Sequence, residues 1–365
     1  MTRALNINRL RLAAQRIEGS EFTTPTEVVR WMLAMQAQDL PGGKWSVGVR
    51  APGTTLREVD AALARGEIVR SWPMRGTLHL VPAEDIGWMV GLTAERTLRS
   101  LARRYDELGL DPASFKQAEH VAVGALEGGR ALSRAARFDE FEAAGISTTG
   151  QRGPHILGHL HQLGTLVLGP MHGTGQNVVL HDEWVREPRT PERDEALGEW
   201  VLRYFRSHGP ATLKDFTWWT KLTVRDAGIG LAIARNQLEE IQVDDVSYWM
   251  APGLPDRMSR RVHALPGFDE YLLGYQDRSA ALDPAHAPVV VPGNNGVFQP
   301  TVVVNGRIVG TWRRKVTPAG ITITPRPFAP LSDGTLTAFG RSASVYGHFI
   351  GTAAQVAEQD VHPAG

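Results

Sequence analysis

Trp31-Met-Leu-Ala-Met-Gln36-Ala-Gln38-Asp39, running into Pro41-Gly42-Gly43, is the stretch of this 365-residue chain on which the reading turns. Val28, Trp31, Met32 and Met35 recur at spacings of three and four, which is one apolar face of a helix. Thr26 stands where an N-cap belongs, and Pro41 with the two glycines predicts the helix end just past the amides. On a regular helix Gln36 and Gln38 point about 200° apart and cannot serve one site. At an unwinding last turn they can. Asp39, three residues after Gln36, would share its face and would sit at a helix C-terminus, where the dipole disfavours a carboxylate. Glutamines at a helix end are ordinarily solvated surface, so the pair needs support from elsewhere in the chain.

Around this stretch, residues 4–17 read as a first helix and Leu56–Ala64 as a third. Residues 67–72 and 77–81 are β-rich runs joined by a turn at 74–76. Three helices and a hairpin make a winged-helix module over residues 1–110, with Arg70, Arg75 and His79 on its wing. The same order recurs over 111–190, with helices at 115–126, from Ser133 to Gly145 and at 153–163, then runs at 165–168 and 177–180. It recurs again over 191–260, after the linker Pro188-Arg-Thr-Pro191, ending in a hairpin at 241–243 and 247–250. Trp218 and Trp219 in this third unit read as core rather than as base-stacking surface. From 261 to 365 the character becomes β-rich, with runs at 289–291, 298–304, 307–313 and 320–324. Asn305-Gly306 is the favoured type I′ hairpin dipeptide, and a helix over 336–358 closes the chain. The expected class is α+β: three tandem winged-helix modules and a C-terminal antiparallel β-rich domain, lining a concave, DNA-wide cleft.

Composition narrows the function. A hydrophobic content of 42% is that of a globular protein, and no apolar run reaches the roughly 18 residues of a membrane span. The N-terminus lacks an apolar signal core, so a cytoplasmic, membrane-free protein is expected; it is also expected to act as a monomer. With no cysteine there are no disulfides, thiolate metal ligands or cysteine nucleophiles. Neither a phosphate-binding Gly-rich loop nor a nucleophile elbow is present. His155 and His159 have metal-compatible spacing, but Ile156 stands where the glutamate of a zinc-protease helix would be, so no metal or other cofactor is expected.

The 39 basic and 39 acidic residues cancel, which argues mildly against a nucleic-acid partner. Their distribution is uneven: residues 1–104 carry a balance of +5 and residues 105–200 one of −7. Arg96, Arg99, Arg103 and Arg104 share a helical face, as phosphate contacts or as a solvated, ion-paired surface. Arg313-Arg314-Lys315 follow Trp312 and could reach a phosphate. Within the acidic third, residues 165–181 hold no formal charge, and the segment Gly169-Pro-Met171-His172-Gly-Thr174-Gly-Gln176 suits a wing that approaches phosphates closely.

Gln36-Ala37-Gln38 together with Ser71-Trp-Pro-Met-Arg75-Gly-Thr-Leu-His79-Leu resembles the AlkZ-type DNA glycosylases, a bacterial family of tandem winged-helix proteins that includes a YcaQ type. Phe268-Asp-Glu-Tyr-Leu-Leu-Gly-Tyr-Gln-Asp277-Arg278, Gly293-Asn-Asn-Gly-Val-Phe-Gln-Pro and Gly306-Arg-Ile-Val-Gly-Thr-Trp312 fit the same pattern. The YcaQ type carries an acid at the second motif position, so Gln38 places the chain with the AlkZ type. The resemblance implies catalysis by Gln36 and Gln38. It also implies a β-hairpin projecting into the DNA, nearest here to Met171, His172, Thr174 and Gln176, and a partner of double-stranded DNA carrying alkylated or crosslinked purines.

The chemistry of an amide fits a particular leaving group. A glutamine carbonyl can orient a water and set a negative dipole near a sugar cation, but it cannot act as a general base at neutral pH. That suffices when the base is already cationic, as in N7-alkylguanine and N3-alkyladenine. The expected reaction is monofunctional hydrolysis, since no lysine except Lys44 lies near the motif in sequence and a Schiff-base lyase step lacks an obvious amine. Asp39 is carried as a second catalytic candidate. The competing class is a winged-helix transcriptional regulator without catalysis, which would need no paired amides. A protein-interaction scaffold is a third possibility, for which net neutrality speaks.

Overall fold

The computed structural model describes residues 6–255, 261–317 and 320–363. The chain forms two compact units that interleave in sequence: residues 1–59, 197–219 and 223–365 make the first, and 60–196 with 220–222 the second. The fold is mixed α+β, as the patterning predicts.

In the first unit, α1 (Ile7–Ala14) is followed by α2 (Pro25–Met32), two residues of extended backbone, β1 (Met35–Gln36), and α3 (Leu40–Arg50). The early part of the first-helix reading, residues 4 and 5, lies outside the described residues. The cap of α2 is Thr24, not Thr26: the Thr24 hydroxyl accepts from the Glu27 N–H, the Glu27 carboxylate accepts from the Thr24 N–H, and Pro25 starts the helix. Thr26 is a buried residue inside the first turn.

The C-terminal sheet of this unit has β6 (Val262–Leu265), β7 (Thr301–Val304), β8 (Arg307–Thr317), β9 (Gly320–Pro327) and β10 (Ala354–Val356) adjacent in that order. All pairs are antiparallel except β9–β10, which is parallel. Asn305 and Gly306 sit at φ 52° and 80° and turn β7 into β8, as that dipeptide predicts. The β-branched run at 289–291 is not a strand: Pro288 opens a short helix, Ala287–Val290. The closing helix runs Asp333–Ile350 and stops at Gly351 in the left-handed conformation, well short of residue 358.

In the second unit four strands lie in the order β3 (Thr77–Pro82), β2 (Ile68–Met74), β4 (Leu166–His172), β5 (Gly175–Leu180). The helices α4 (Ile86–Glu107), α5 (Pro112–Leu126), α6 (Arg134–Ala143) and α7 (Arg152–Gln162) close a core that includes Tyr105, Phe115, Phe141 and Leu160. Ser133 caps α6 as its position predicts. The glycine-rich segment 169–176, which lies between the expected runs at 165–168 and 177–180, is itself mostly strand. Met171 pairs with Gln176 and His172 with Gly175, leaving Gly173-Thr174 as the turn.

Candidate active site

The structure corrects the reading of the opening stretch. α2 ends at Met32, Leu33 takes φ 63°, and Gln36 stands on β1 rather than on a last helical turn. Pro41-Gly42-Gly43 begin a helix instead of ending one; Pro41 lies in the first turn, where its missing N–H costs nothing. Asp39 is therefore the N-cap residue of α3, at the end of the dipole that favours a carboxylate. The strand ends at Gln36 and the chain bends at Gln38, so the two amides are freed from the separation of about 200° that a regular helix would impose.

Gln36 is 7% exposed, whereas Gln38 and Asp39 are solvent-exposed. The two glycines are there for space. A Cβ on Gly43 would lie 2.7 Å from the Ala37 Cβ and 3.2 Å from the Gln36 carbonyl oxygen. One on Gly42 would lie 2.6 Å from Asp39 Oδ2. The first turn of α3 thus packs backbone-close against the motif.

Behind the motif lies a polar network that sequence reasoning did not assign. The peptide N–H of Gln36 donates to Glu270 Oε1 at 2.8 Å, and the Trp219 indole donates to Glu270 Oε2 at 2.9 Å. His208 Nε2 faces the same Oε2 at 3.6 Å. Next to it, Arg50 holds Asp269 through two bonds of 2.9 Å and donates to Gln15 Oε1 at 2.6 Å. Gln15 in turn donates to the Glu270 carbonyl and to the Tyr275 hydroxyl, both at 3.0 Å, and Tyr275 donates to the His208 carbonyl at 2.7 Å. Burial pushes the Tyr275 phenol well up, so it remains a donor at working pH. The available signal was Phe268-Asp-Glu-Tyr-Leu-Leu itself: adjacent acids inside an apolar run are buried, and buried acids need partners.

Arg314 donates to the Tyr346 hydroxyl, whose pKa burial raises; Asp39 adds to that rise and Arg314 opposes it. Arg314 and Asp39 thus act on one phenol. Arg313 instead reaches Asp360 at 3.3 Å, and Lys315 is exposed on β8.

In the second unit the wing residues fall into two groups. Arg70 donates to Gln176 at 3.1 Å and Gln176 to the Gly169 carbonyl at 3.0 Å, which ties one hairpin to the other. His79 is fully buried, with Nδ1 2.8 Å from the Thr77 carbonyl and Nε2 3.1 Å from Arg75, so it supports Arg75 and has no surface of its own. Met171 is half-buried, while His172 and Thr174 are exposed at the tip. Lys221 is a further basic residue that sequence reasoning passed over: burial, then Arg75 and Arg96, push its ammonium pKa down. Arg99, Arg103 and Arg104 pair with Glu95 and Glu107, the solvated-face alternative. His155 and His159 pack around Tyr105, and His159 stacks on Phe115 at 3.6 Å between ring centres. Among the described residues no helix is long and apolar enough to cross a membrane.

The family model described as AlkZ-like, DNA glycosylase AlkZ-like, matches residues 29–349. The chain belongs to the AlkZ-like DNA glycosylases. Among its relatives is an interstrand DNA cross-link repair glycosylase of Streptomyces sahachiroi, 25% identical over 346 residues that cover 87% of this chain and 89% of the relative. The solved structure of Streptomyces sahachiroi DNA glycosylase AlkZ has the same fold, with a TM-score of 0.79 at 22% identity, over 96% of this chain and 98% of that one. For an AlkZ-like glycosylase the transcriptional-regulator alternative is not favoured, since the family is named for an enzymatic activity.

Proposed function

We propose that this AlkZ-like glycosylase excises bulky, cationic N7-alkylguanine and N3-alkyladenine from double-stranded DNA, and that its range extends to unhooking interstrand crosslinks built on such adducts. Gln36 and Gln38 orient the attacking water and stabilise the sugar cation. As the glycosidic bond breaks, its electron pair neutralises the cationic base; the water oxygen bonds to C1′ and its proton passes to solvent. The product is an abasic site in an intact strand. Three winged-helix modules over 1–110, 111–190 and 191–260 and the domain over 261–365 would together hold the duplex, with Arg70, Arg75, Met171, His172, Thr174, Gln176, Arg313, Arg314 and Lys315 toward it. The crosslink range is supported by the name of the Streptomyces sahachiroi relative.

The observation that carries this reading is the state of Gln36, a neutral amide that is nine-tenths buried on a short extended link, followed two residues later by an exposed amide. A buried neutral acceptor stabilises positive charge without itself needing a proton. The test is base release from N7-methylguanine DNA under single turnover. Gln36→Ala and Gln38→Ala should each slow release roughly a hundredfold, about 3 kcal/mol, with DNA affinity nearly unchanged. The double variant should be no worse than either alone, because both amides serve one water. Asp39→Asn should change little. Wild-type rates in both glutamine variants would move the chemistry to Asp39.

A further inference from the structure

We infer that Glu270 is a positioning residue for Gln36: its buried carboxylate fixes the motif backbone and thereby the place where the Gln36 amide meets the sugar. This rests on the catalytic reading of Gln36 given above. Glu270 is 1% exposed and spends one oxygen on each of two N–H donors, the Gln36 peptide and the Trp219 indole. A carboxylate satisfies both as acceptors, and charge-assisted bonds of this kind are about twice as strong as neutral ones. The carboxylate is itself clamped. Its neighbour Asp269 caps the short helix Glu270–Leu273 through the Tyr271 N–H at 2.8 Å and is locked by Arg50, while Gln15 holds the Glu270 carbonyl. Trp219 is fully buried and packs on His208 and Tyr204, so the indole donor cannot move aside. A backbone held by a clamped anion loses the freedom that Leu33 and the link residues Ala37–Asp39 would otherwise give it. Fixing a reacting group in place is worth far more to rate than to binding.

The geometry makes the inference separable from a merely structural role. In Glu270→Gln the amide oxygen can still accept from Gln36 or from Trp219, but its NH₂ must then face the other donor. Two donors meeting in a buried site push the side chain, and the Gln36 peptide with it, out of place. Replacing Trp219 by Phe removes one of those donors. The experiment is single-turnover release of N7-methylguanine with DNA affinity and melting temperature measured on the same preparations, at a temperature well below every melting transition. Glu270→Gln should lower the release rate tenfold or more with DNA affinity within about twofold, and Glu270→Gln/Trp219→Phe should recover at least half of that loss on a logarithmic scale. Trp219→Phe alone should lose less than Glu270→Gln does, because the bond to the Gln36 peptide is kept. Gln36→Ala is run beside them. If Glu270→Gln releases base at the wild-type rate while Gln36→Ala is inert, the positioning role fails and the amide mechanism stands. Should Gln36→Ala itself be fully active, the amide mechanism fails whatever Glu270 does. A double variant no faster than Glu270→Gln, with folding intact, also overturns the proposal.

Discussion

Two polar clusters, one in each unit, are built in opposite ways. Around Gln36 nearly every buried polar group found in the first unit is answered by another: Arg50 by Asp269, Gln15 by Arg50 and Tyr275, Glu270 by Trp219 and a peptide N–H. Around Arg75 in the second unit, cations are gathered beside one another, so that the Lys221 ammonium, pushed down first by burial, is pushed further by two arginines. The first arrangement costs desolvation and returns rigidity; it suits atoms that must hold one position through a reaction. The second stores unfavourable like-charge contact that an anion relieves, which suits phosphate.

Breaking the first arrangement should give the largest effect. Asp269→Ala leaves the Arg50 guanidinium, 0% exposed, without its carboxylate, and removing one partner of a buried pair costs about 3–5 kcal/mol. Urea unfolding should show that loss; a loss under 1 kcal/mol would mean that the network is ornamental. The second unit has a buried polar group of its own. Burial, helped by Arg137, holds the His161 imidazole pKa down to about 3. Below pH 6.5 the unfolded chain takes up a proton that the folded one refuses, so stability falls as pH falls, by about 3 kcal/mol on reaching pH 4.5. His161→Phe, which keeps a ring against Trp72, should flatten the difference between pH 7 and pH 4.5 measured by denaturation midpoints.

Smaller still is Gly43→Ala. Its Cβ meets Ala37 at 2.7 Å, and overpacking of this kind costs about 1–3 kcal/mol. Because the strain falls on the motif, excision should suffer more than melting does, and equal losses would place the motif elsewhere. The mildest test is Lys221→Ala. It should leave stability within about 0.5 kcal/mol and reduce the slope of log DNA affinity against log salt by about 1. An unchanged slope would mean that this cationic group meets no phosphate.

Legibility in the sequence followed the range of the interaction. Ser133 as a cap, Asn305-Gly306 as a turn and the paired runs of each hairpin are written within a few residues of where they act, and they form as read. The stop of α2 is not written locally. Leu33 has no glycine or proline to mark it, and the apolar period continues through Met35 because that residue is buried on a strand instead. The same Pro-Gly-Gly serves a helix start as well as a stop, and the choice depends on what packs against it. The β-branched run ahead of Pro292 reads as strand until Pro288 opens a helix turn over Ala287–Val290. Least legible was the support of the site, since Gln36 meets Glu270 across 234 positions and Arg50 meets Asp269 across 219, separations with no periodicity to betray them.

That separation has a consequence in time. A ribosome adding about 5–20 residues per second needs roughly 10 to 50 seconds to pass from Gln36 to Glu270. Throughout that interval the motif exists as chemistry without its brace. A nascent chain cut short between residues 222 and 269 carries both glutamines and the whole of the second unit's cationic group, yet lacks the anion that contacts Gln36. On the roles proposed for Gln36 and Glu270, excision would have to wait until the chain is nearly three-quarters made.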